Sequence, residues 1–581
     1  MNQFKDILLK LHGENKKMLR WLYVDKQVHI ERLSSSEQPI EDEKLFSYHG
    51  LRFRFAGTGM RQPERMNLFI FLPRELPGTD ELYPDVSQED YLLRILSPGI
   101  NGLSREMEND HKDAREKAKF ECQTADSRIL RRSGLIYDDD GQCFVLRILF
   151  QMPLINGTGI NAKSGLRALR SLLDTVEQLL NSLDWENFKE HVAVYRRQTE
   201  ILQWMLSHQK VAFVANGSIL PRQADSDLPL PDAVPFEAPP SLLKTLTLSD
   251  GFQISGMAIP RGVTVITGGG YSGKSTLLDA LEQGIYRHIP GDGREYVLSL
   301  PGSAKIYAED GRPVHHMDLS LFFHGQNPGI SFENFSTAHA SGSVSQAANI
   351  LEAVYAGCDL LLIDEDTSAT NFMIRDSFIR RLVKKEPIIP FTDRVRDLWE
   401  LRGISTILVI GGSGEYLRYA DHCLLMEDYR IRDVTGPAKE LAAEMPAPDA
   451  CPPKELPMLL QRFFRCPDST LPFRISQCVS VDQAHYIQVD EYTSDVTRLT
   501  ALTSEDQFHT LAFLLEHSLG NPSGDVCECS ALAAELTAQL FRPEIIDKIQ
   551  GSHYQFTLWL EEIRPMDFLA ALFRMRGIEI F

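Results

Sequence analysis

A glycine-rich run with one lysine and one serine is the strongest chemical signal in the sequence. It reads Gly268-Gly-Gly-Tyr-Ser-Gly-Lys-Ser275 and fits the pattern G-x-x-x-x-G-K-S. A β-branched strand should enter it at Val263–Thr267, and a helix should leave it from Thr276. Glycines let backbone N–H groups curl around phosphates, and the helix N-terminus adds a partial positive charge. The run, called the cradle below, therefore predicts a phosphate-binding loop rather than a simple turn.

The cradle residues have distinct expected roles. Lys274 should reach the β and γ phosphates of a nucleotide, and Ser275 should hold Mg²⁺. The rest of the predicted nucleotide-binding set is made of the neighbouring residues Gly268, Gly269, Gly270, Tyr271, Ser272, Gly273 and Thr276. ATP and Mg²⁺ are therefore the predicted cofactors.

Two carboxylates end an apolar run downstream of the cradle, Leu360-Leu-Leu-Ile-Asp-Glu365. We expect this run to be a buried strand beside the strand that enters the cradle. At its end Asp364 can hold Mg²⁺, directly or through water, and Glu365 can orient or deprotonate the attacking water. The plain alternative is a buried strand with two exposed acids. The position of the pair after a complete cradle favours the metal and water site.

A run of small residues, Ala340-Ser-Gly-Ser-Val-Ser-Gln346, precedes a predicted helix. Small residues leave the N–H groups of a helix start open to an anion. An ordinary serine N-cap explains the run equally well by itself. Its place just before the Leu360 strand favours anion binding, so Ser341, Gly342 and Ser343 become further candidate nucleotide contacts.

These motifs occur in the order found in ABC-type ATPases, and the chain resembles most closely the family called predicted ATPases of the ABC class. The resemblance is dense from about Val211 to Thr435 and thin elsewhere. It is carried by the phrases Gly268-Gly-Gly-Tyr, His288-Ile-Pro-Gly-Asp-Gly-Arg-Glu295, Ala308-Glu-Asp-Gly-Arg312, Ala340-Ser-Gly-Ser, Ser345-Gln-Ala-Ala-Asn349, Asp364-Glu-Asp-Thr-Ser-Ala-Thr-Asn-Phe-Met-Ile-Arg-Asp376, Gly411-Gly-Ser-Gly414, Val211-Ala-Phe-Val-Ala-Asn-Gly-Ser-Ile-Leu-Pro-Arg222, Arg564-Pro and Arg574-Met-Arg576.

The resemblance implies a stand-alone cytoplasmic ATPase rather than a transporter engine. ABC-type domains work as head-to-tail pairs, which implies a homodimer. In such a pair Ser341, Gly342 and Ser343 of one subunit would close on the γ-phosphate held by the cradle of the other. Some members of the family are linked to RNA, which makes RNA or another nucleic acid a candidate partner.

Three positions depart from the patterns of related proteins. Ser272 stands where the family usually has histidine, a position that is variable in the general motif. Asp366 follows Glu365 directly, as in this family but not in most ABC proteins. Gly411-Gly-Ser413 stands where most ABC proteins have a histidine that contacts the γ-phosphate. Ser413 or a backbone N–H should replace that histidine, with slow turnover as the expected cost.

Three further features are open to two interpretations. Pro290–Glu295 is either a turn before the next strand or a segment whose Arg294 contacts phosphate or a neighbouring subunit. Glu309-Asp-Gly-Arg312 is best interpreted as a hairpin turn that joins paired strands at Lys305–Ala308 and Val314–Phe323. Gln326 is a weak candidate for a Mg²⁺-sensing glutamine, and a plain loop residue is favoured.

The elements that must position these motifs alternate between strands and helices over residues 241–443. The alternation predicts an α/β domain with a mainly parallel central sheet, an ABC-type P-loop ATPase core. Residues 1–240 are predicted to be a mixed α+β N-terminal domain that ends in a proline-rich linker, with a charged helix over Ser104–Lys119. Residues 444–581 are predicted to be a smaller mixed, mostly helical C-terminal region.

Composition limits the classes of partner. Among 581 residues, 80 acidic against 60 basic side chains give a net charge of −20, which argues against a generally basic nucleic-acid-coating protein. The nine cysteines are scattered, and Cys527-Glu-Cys529 is too tightly spaced for the usual zinc motif. The sequence has no run of about 18 apolar residues. We therefore expect no membrane insertion and a reduced, cytoplasmic location.

Three functions are compatible with these observations. An ATP-driven enzyme on RNA is the first, and its groove would be lined by the arginines 128, 131, 132, 167 and 170. The acidic net charge instead favours solvated helix faces for these arginines. A nucleotide-dependent switch that dimerises with ATP and recruits protein partners is the second. A transporter motor is disfavoured by the large N-terminal region and the missing histidine.

Overall fold

The computed structural model falls into two compact units. It describes residues 1–22, 45–57, 63–73, 85–109, 117–138, 142–224, 226–325, 331–375, 377–383, 385–444, 461–467, 475–481, 484–520, 526–542 and 559–581. One unit comprises Met1–Val192 with Ala538–Glu562, and the other comprises Ala193–Thr537 with Ile563–Phe581. The division of the chain at residues 240 and 443 stays a prediction.

The first unit is built on an antiparallel sheet and shares one apolar core with its helices. The strands in spatial order are Phe46–Tyr48, Leu51–Gly57, Arg65–Phe71, Cys143–Gln151 and Lys119–Glu121, with Leu135–Asp138 also paired to Cys143–Gln151. Leu154–Ile155 and Gly159–Ile160 form a separate short pair. The helices of this unit are Asn2–Lys10, the short 3₁₀ turn Lys16–Leu22, Val86–Asn109, Ala162–Asn181 and the first part of Trp185–Ser207.

The second unit is organised around a six-stranded central sheet, as the α/β pattern predicted. Its strands in spatial order are Ser303–Ile306, Leu360–Asp364, Ser405–Val409, Val263–Thr267, His422–Glu427 and Arg430–Asp433. The first five are mutually parallel, and the last is antiparallel to its neighbour. Their carboxyl ends therefore meet at one edge, which is where ligands bind in open α/β sheets.

Both faces of the central sheet are buried. Leu360 and Leu362 belong to one apolar cluster, while Leu361 and Ile363 belong to another. Side chains alternate between the faces along a strand, so each face packs against its own layer. This explains why these strands are continuous apolar runs rather than alternating ones.

The remaining elements of the second unit cover this sheet and extend it. A four-stranded antiparallel sheet has the order Leu243–Thr247, Gln253–Pro260, Lys210–Ala215 and Val297–Ser299. Toward the end of the chain are the strands Val526–Glu528, Phe463–Arg465 and Glu579–Ile580 in one sheet, and Ile475–Val481, Ala484–Val489, Tyr492–Asp495 and Met575–Arg576 in another. The helices are the end of Trp185–Ser207, then Lys274–Gln283, Gly342–Tyr355, Thr370–Met373, Ser377–Leu382, Val395–Arg402, Thr435–Glu444, Glu505–Leu519, Cys529–Gln539 and Pro565–Phe573.

No helix among the described residues has both the length and the apolar character needed to span a bilayer.

The predicted hairpin around residues 309–312 is wrong. Ser303–Ile306 pairs in parallel with Leu360–Asp364, and Val314–Met317 pairs with Phe335–Thr337 instead. The first strand gains a partner inside the buried sheet, which a two-stranded hairpin does not offer. The loop between the strands is held by partners distant in sequence, described below.

Candidate functional site

The cradle begins where the strand Val263–Thr267 ends at the carboxyl edge of the central sheet. Gly268 has φ +148°, and a Cβ there would lie 2.1 Å from the carbonyl oxygen of Met426. Gly273, with φ +97°, precedes the helix Lys274–Gln283. Residues with a side chain rarely adopt these backbone φ values, so glycine is needed at both positions. The loop therefore turns tightly from strand to helix, as the motif predicted.

The donors of the cradle suit a triphosphate. The Lys274 ammonium donates to the carbonyls of Gly268 and Gly269, at 2.8 and 2.6 Å. Both Gly269 and Gly270 have open space beside Cα, so a ligand can approach the backbone closely. An ammonium, a helix N-terminus and exposed glycines together fit the charge and shape of nucleotide phosphates.

Ser272 braces the loop at the position where a histidine is usual. Its hydroxyl donates to the carbonyl of Gly269 at 2.8 Å, and the residue is buried. The preceding residue has the opposite surroundings, because Tyr271 is fully exposed and has φ +58°. Ser272 therefore closes the turn from inside, while Tyr271 stands at its outer surface.

Ser275 and Asp364 lie together, as required for a shared metal. The Ser275 hydroxyl donates to one oxygen of Asp364 at 2.9 Å, and the other oxygen accepts the backbone N–H of Asp366 at 3.1 Å. Asp364 is the buried last residue of its strand. A hydroxyl and a carboxylate are the oxygen ligands that Mg²⁺ accepts beside substrate phosphates, so the residues present fit that ion.

The acid-bearing strand does not lie directly beside the cradle strand. We expected Leu360–Asp364 and Val263–Thr267 to be neighbours, and that prediction is wrong because Ser405–Val409 lies between them. The intervening strand adds its own loop to the site. The backbone N–H groups of Gly411 and Gly412 donate to the same Glu365 oxygen, at 2.7 and 3.0 Å.

Ser413 lies in the loop that holds Glu365. The residue is only 9% exposed, and its hydroxyl is buried without a hydrogen-bond partner among the described residues. Buried hydroxyls normally have a partner. A ligand contact by Ser413 or a neighbouring N–H stays a prediction.

The helix Gly342–Tyr355, called the signature helix below, is tied to the segment that follows Glu365. Its Gln346 side chain donates to Ser368 Oγ at 3.0 Å and accepts the backbone N–H of Ala369 at 2.8 Å. Gln346 had no role predicted from the sequence. Its place in a phrase shared with the family was the available signal, but the partner is 23 residues away.

The segment Ser341–Ser343, called the signature segment below, is not hydrogen-bonded to the cradle of its own chain in the part that the structure describes. Within the described part of the structure, no hydrogen bond joins it to residues 268–276. Gly342 instead faces Asp310 and Ala369, 3.3 and 3.5 Å from the position of a Cβ. The structure thus brings Lys274, Ser275, Asp364, Glu365 and Ser413 to one edge and leaves the signature segment outside that set.

Two other interpretations are resolved by burial. Arg294 is buried and donates to the carbonyl of Leu220 at 2.8 Å, which favours the turn over a phosphate contact. Arg128 and Arg132 are each 2% exposed, so these two neither line an accessible nucleic-acid groove nor lie on the solvated helix faces that the net charge favoured. Gln326 lies outside the described residues.

Comparison with known proteins identifies the class. The family model for the ABC_ATPase P-loop domain matches residues 184–461. This part of the chain is thus similar to the P-loop domain of ABC ATPases, in agreement with the resemblance seen in the motifs. An uncharacterised protein of Methanocaldococcus jannaschii is 31% identical over 216 residues, which are 36% of this chain and 47% of that protein. The chain thus spans about half the length of this curated relative.

Solved ABC cassettes are similar to part of the structure. The cassette cbiO1 from Clostridium perfringens, part of the ABC transporter complex cbiONQ, is 18% identical, with 41% of this chain and 92% of that chain covered at a TM-score of 0.25. An ATP-binding cassette of an ABC transporter in its ADP conformation is 11% identical, with 40% and 95% covered at a TM-score of 0.24.

Proposed function

We propose that this chain binds and hydrolyses Mg²⁺·ATP. The observation that carries the proposal is the 2.9 Å hydrogen bond from Ser275 to Asp364, because it joins a complete phosphate cradle to a carboxylate from another strand. Lys274 and Glu365 flank this pair. Cradle, metal ligand and candidate base are thus collected at one edge of the sheet, as phosphoryl transfer requires.

Each residue has one task in the proposed reaction. Lys274 neutralises charge on the β and γ phosphates and keeps them in place. Ser275 and Asp364 would hold Mg²⁺, which when bound neutralises charge on the same oxygens. The Glu365 carboxylate accepts a hydrogen bond from the attacking water and orients it. The Gly411 and Gly412 amides fix the position of that carboxylate.

The active form in this proposal is a head-to-tail homodimer. The signature segment begins a helix and offers small residues to an anion, yet it is not bonded to the cradle of its own chain. It would therefore serve the cradle of a second copy. ATP would hold the two copies together, and hydrolysis would release them.

The test uses Glu365→Gln, which keeps the shape of the side chain and removes its basicity. We expect Glu365→Gln to bind ATP, remain dimeric in ATP by light scattering, and lose at least about a hundredfold in turnover. Glu440→Gln, a change on an exposed helix of the same unit, is the control and should turn over normally. Normal turnover by Glu365→Gln would remove the assignment of the base.

RNA is the partner that the family resemblance suggests, and a protein-recruiting switch is the alternative. The net charge of −20 and the burial of Arg128 and Arg132 weigh against an extended basic groove. Steady-state hydrolysis with and without single-stranded RNA separates the two. Several-fold stimulation that fades with added salt indicates RNA as the partner. A rate that RNA leaves unchanged favours the switch.

A further inference from the structure

Residues near the end of the chain contact the signature helix through Arg574. Met575–Arg576 follows the helix Pro565–Phe573 within the second unit. The buried Arg574 guanidinium contacts Glu309 at 2.6 and 3.1 Å and Asn349 Oδ1 at 3.0 Å. Asn349 belongs to the signature helix. Arg574 thus joins that helix to the loop Glu309–Arg312.

Arg576 holds the same loop from its other side. One guanidinium nitrogen donates to the carbonyl of Ala338 at 2.7 Å, and another donates to the carbonyl of Gly311 at 2.6 Å. Within the described residues, no carboxylate lies within ion-pair distance of Arg576. Its contacts are therefore two directed hydrogen bonds to backbone, which fix geometry rather than compensate charge.

The loop in turn is hydrogen-bonded to the residues on either side of the signature segment. Gly311 N–H donates to the carbonyl of Ala340 at 2.7 Å, and Ala340 N–H donates to the carbonyl of Arg312 at 2.9 Å. Ala340 immediately precedes the signature segment in sequence. Glu309 N–H donates to Ser345 Oγ at 2.8 Å, and that hydroxyl donates to the carbonyl of Gly342 at 2.9 Å.

We propose that Arg574 and Arg576 are positioning residues for the signature segment. They hold the loop Glu309–Arg312, and the loop sets the orientation of the N–H groups at Ser341–Ser343. The inference rests on the proposed function, because orientation matters only if these groups meet the phosphate of a second copy. A shift of about 1 Å in such donors is enough to cost a large factor in rate.

The sharpest variant is Arg576→Ala, because Arg576 is partly exposed and its loss buries no unpaired acid. We expect a nucleotide dissociation constant within about twofold of wild type, since the cradle is untouched. Turnover, and ATP-dependent dimerisation in the Glu365→Gln background, should each weaken about tenfold through loss of charge-assisted hydrogen bonds. Arg576→Lys should restore part of both, because lysine can still reach one carbonyl.

Two further variants keep the test decisive. Arg465→Ala removes an exposed ion pair with Glu579 in the same part of the chain and should change neither quantity. Glu309→Gln weakens the Arg574 contact without deleting it and gives a second measurement if Arg576→Ala does not fold. It should show the same split between intact nucleotide binding and weakened dimerisation.

The outcomes distinguish a failure of the positioning role from a failure of the proposed function. If wild type hydrolyses ATP and dimerises, but Arg576→Ala and Glu309→Gln do both equally well, the positioning role is wrong. The positioning role is also wrong if these variants lose nucleotide affinity as strongly as turnover, because the defect is then general. If wild type itself neither hydrolyses ATP nor dimerises, it is the proposed function that fails.

Discussion

Basic residues in the two units have opposite surroundings. In the second unit, the Lys274 ammonium lies partly exposed in the cradle, bonded to backbone carbonyls of its own loop. In the first unit, the Arg132 side chain is 2% exposed and forms ion pairs with Asp90, Asp126 and Glu561. From sequence alone both residues were candidates for binding phosphate groups.

The difference shows which charges remain available to a ligand. A buried arginine whose donors are matched by carboxylates has little capacity left for another anion, and separating it from them costs more than a new contact returns. The acid partners in turn depend on that arginine. The cradle lysine has neutral carbonyl partners, which a charged phosphate can outcompete.

The largest effect that this comparison predicts is a loss of stability in the first unit. Arg132→Ala removes the cation that pairs with Glu561, which is 2% exposed, while Asp90 keeps its ion pair with Arg94. We expect the free energy of unfolding of the first unit to fall by about 3–5 kcal/mol. Hydrogen exchange read by mass spectrometry should show faster exchange in peptides of that unit.

Arg167→Ala is the matched control, since Arg167 is exposed on the helix Ala162–Asn181 of the same unit. Its expected effect is below about 1 kcal/mol. An Arg132→Ala protein with unchanged exchange but weakened RNA binding would reverse the comparison. Arg132 would then be a binding residue after all.

The second prediction concerns a change that should reduce ATP hydrolysis and leave the stability of the protein unchanged. Lys274→Ala removes the ammonium from the cradle, and its partners are backbone carbonyls that water can satisfy. We expect kcat/KM for ATP to fall about 10²–10³-fold while the thermal midpoint stays close to wild type. Lys244→Ala, which removes an exposed lysine from a strand of the same unit, should leave hydrolysis intact. A large fall in the thermal midpoint of Lys274→Ala would mean that the lysine is structural.

Local motifs of the second unit were predictable from sequence because the residues of each motif are contiguous. The cradle strand, its glycines and the helix after them follow one another, so the β-branched run and the turn glycines determine the local structure. The strand Leu360–Asp364 consists of four apolar residues followed by the terminal Asp364, and all five residues are buried. Backbone preference and burial act in the same direction in both segments.

The errors came from partners distant in sequence. Nothing in residues 305–317 shows that the first strand will pair with Leu360–Asp364, or that Glu309 will meet Arg574, 265 residues away. The order of parallel strands is likewise set by crossovers, which local pattern does not encode. The helix Val86–Asn109 was predicted only from Ser104 onward, because Pro98 and Gly99 lie inside its earlier part. Tertiary packing outweighs their unfavourable helix propensity.

The third prediction uses a buried acid of the first unit to test whether its charges serve stability. Glu89 is 3% exposed, and burial raises its pKa to about 7, against the opposing effect of Arg131. The folded state therefore binds a proton that the unfolded state, with a pKa near 4.5, releases. Stability should fall as the pH rises from about 4.5 to 7, by up to about 3 kcal/mol.

Glu89→Gln removes this dependence of stability on pH. The glutamine keeps an oxygen that can accept the hydrogen bond that the backbone N–H of Tyr137 donates to Glu89 at 2.9 Å. Denaturant unfolding at pH 5 and pH 8 should show the variant to be the more stable protein at pH 8, with a smaller difference at pH 5. Glu186→Gln changes an 85% exposed side chain and should follow wild type at both values. Parallel pH curves for Glu89→Gln and wild type would contradict a protonated buried Glu89.

The smallest expected effect concerns Ser413, the residue of the proposed ATP site whose hydroxyl is buried without a partner in the described part of the chain. If that hydroxyl donates to the γ-phosphate in place of a histidine, Ser413→Ala loses one hydrogen bond, and kcat falls up to about tenfold with ATP affinity nearly unchanged. If the backbone N–H groups of Gly411 and Gly412 act instead, Ser413→Ala turns over like wild type, because it leaves those groups in place. Single-turnover rates at saturating ATP separate these results. Equal rates would leave the catalytic contact to the backbone and reduce Ser413 to a residue that shapes the loop.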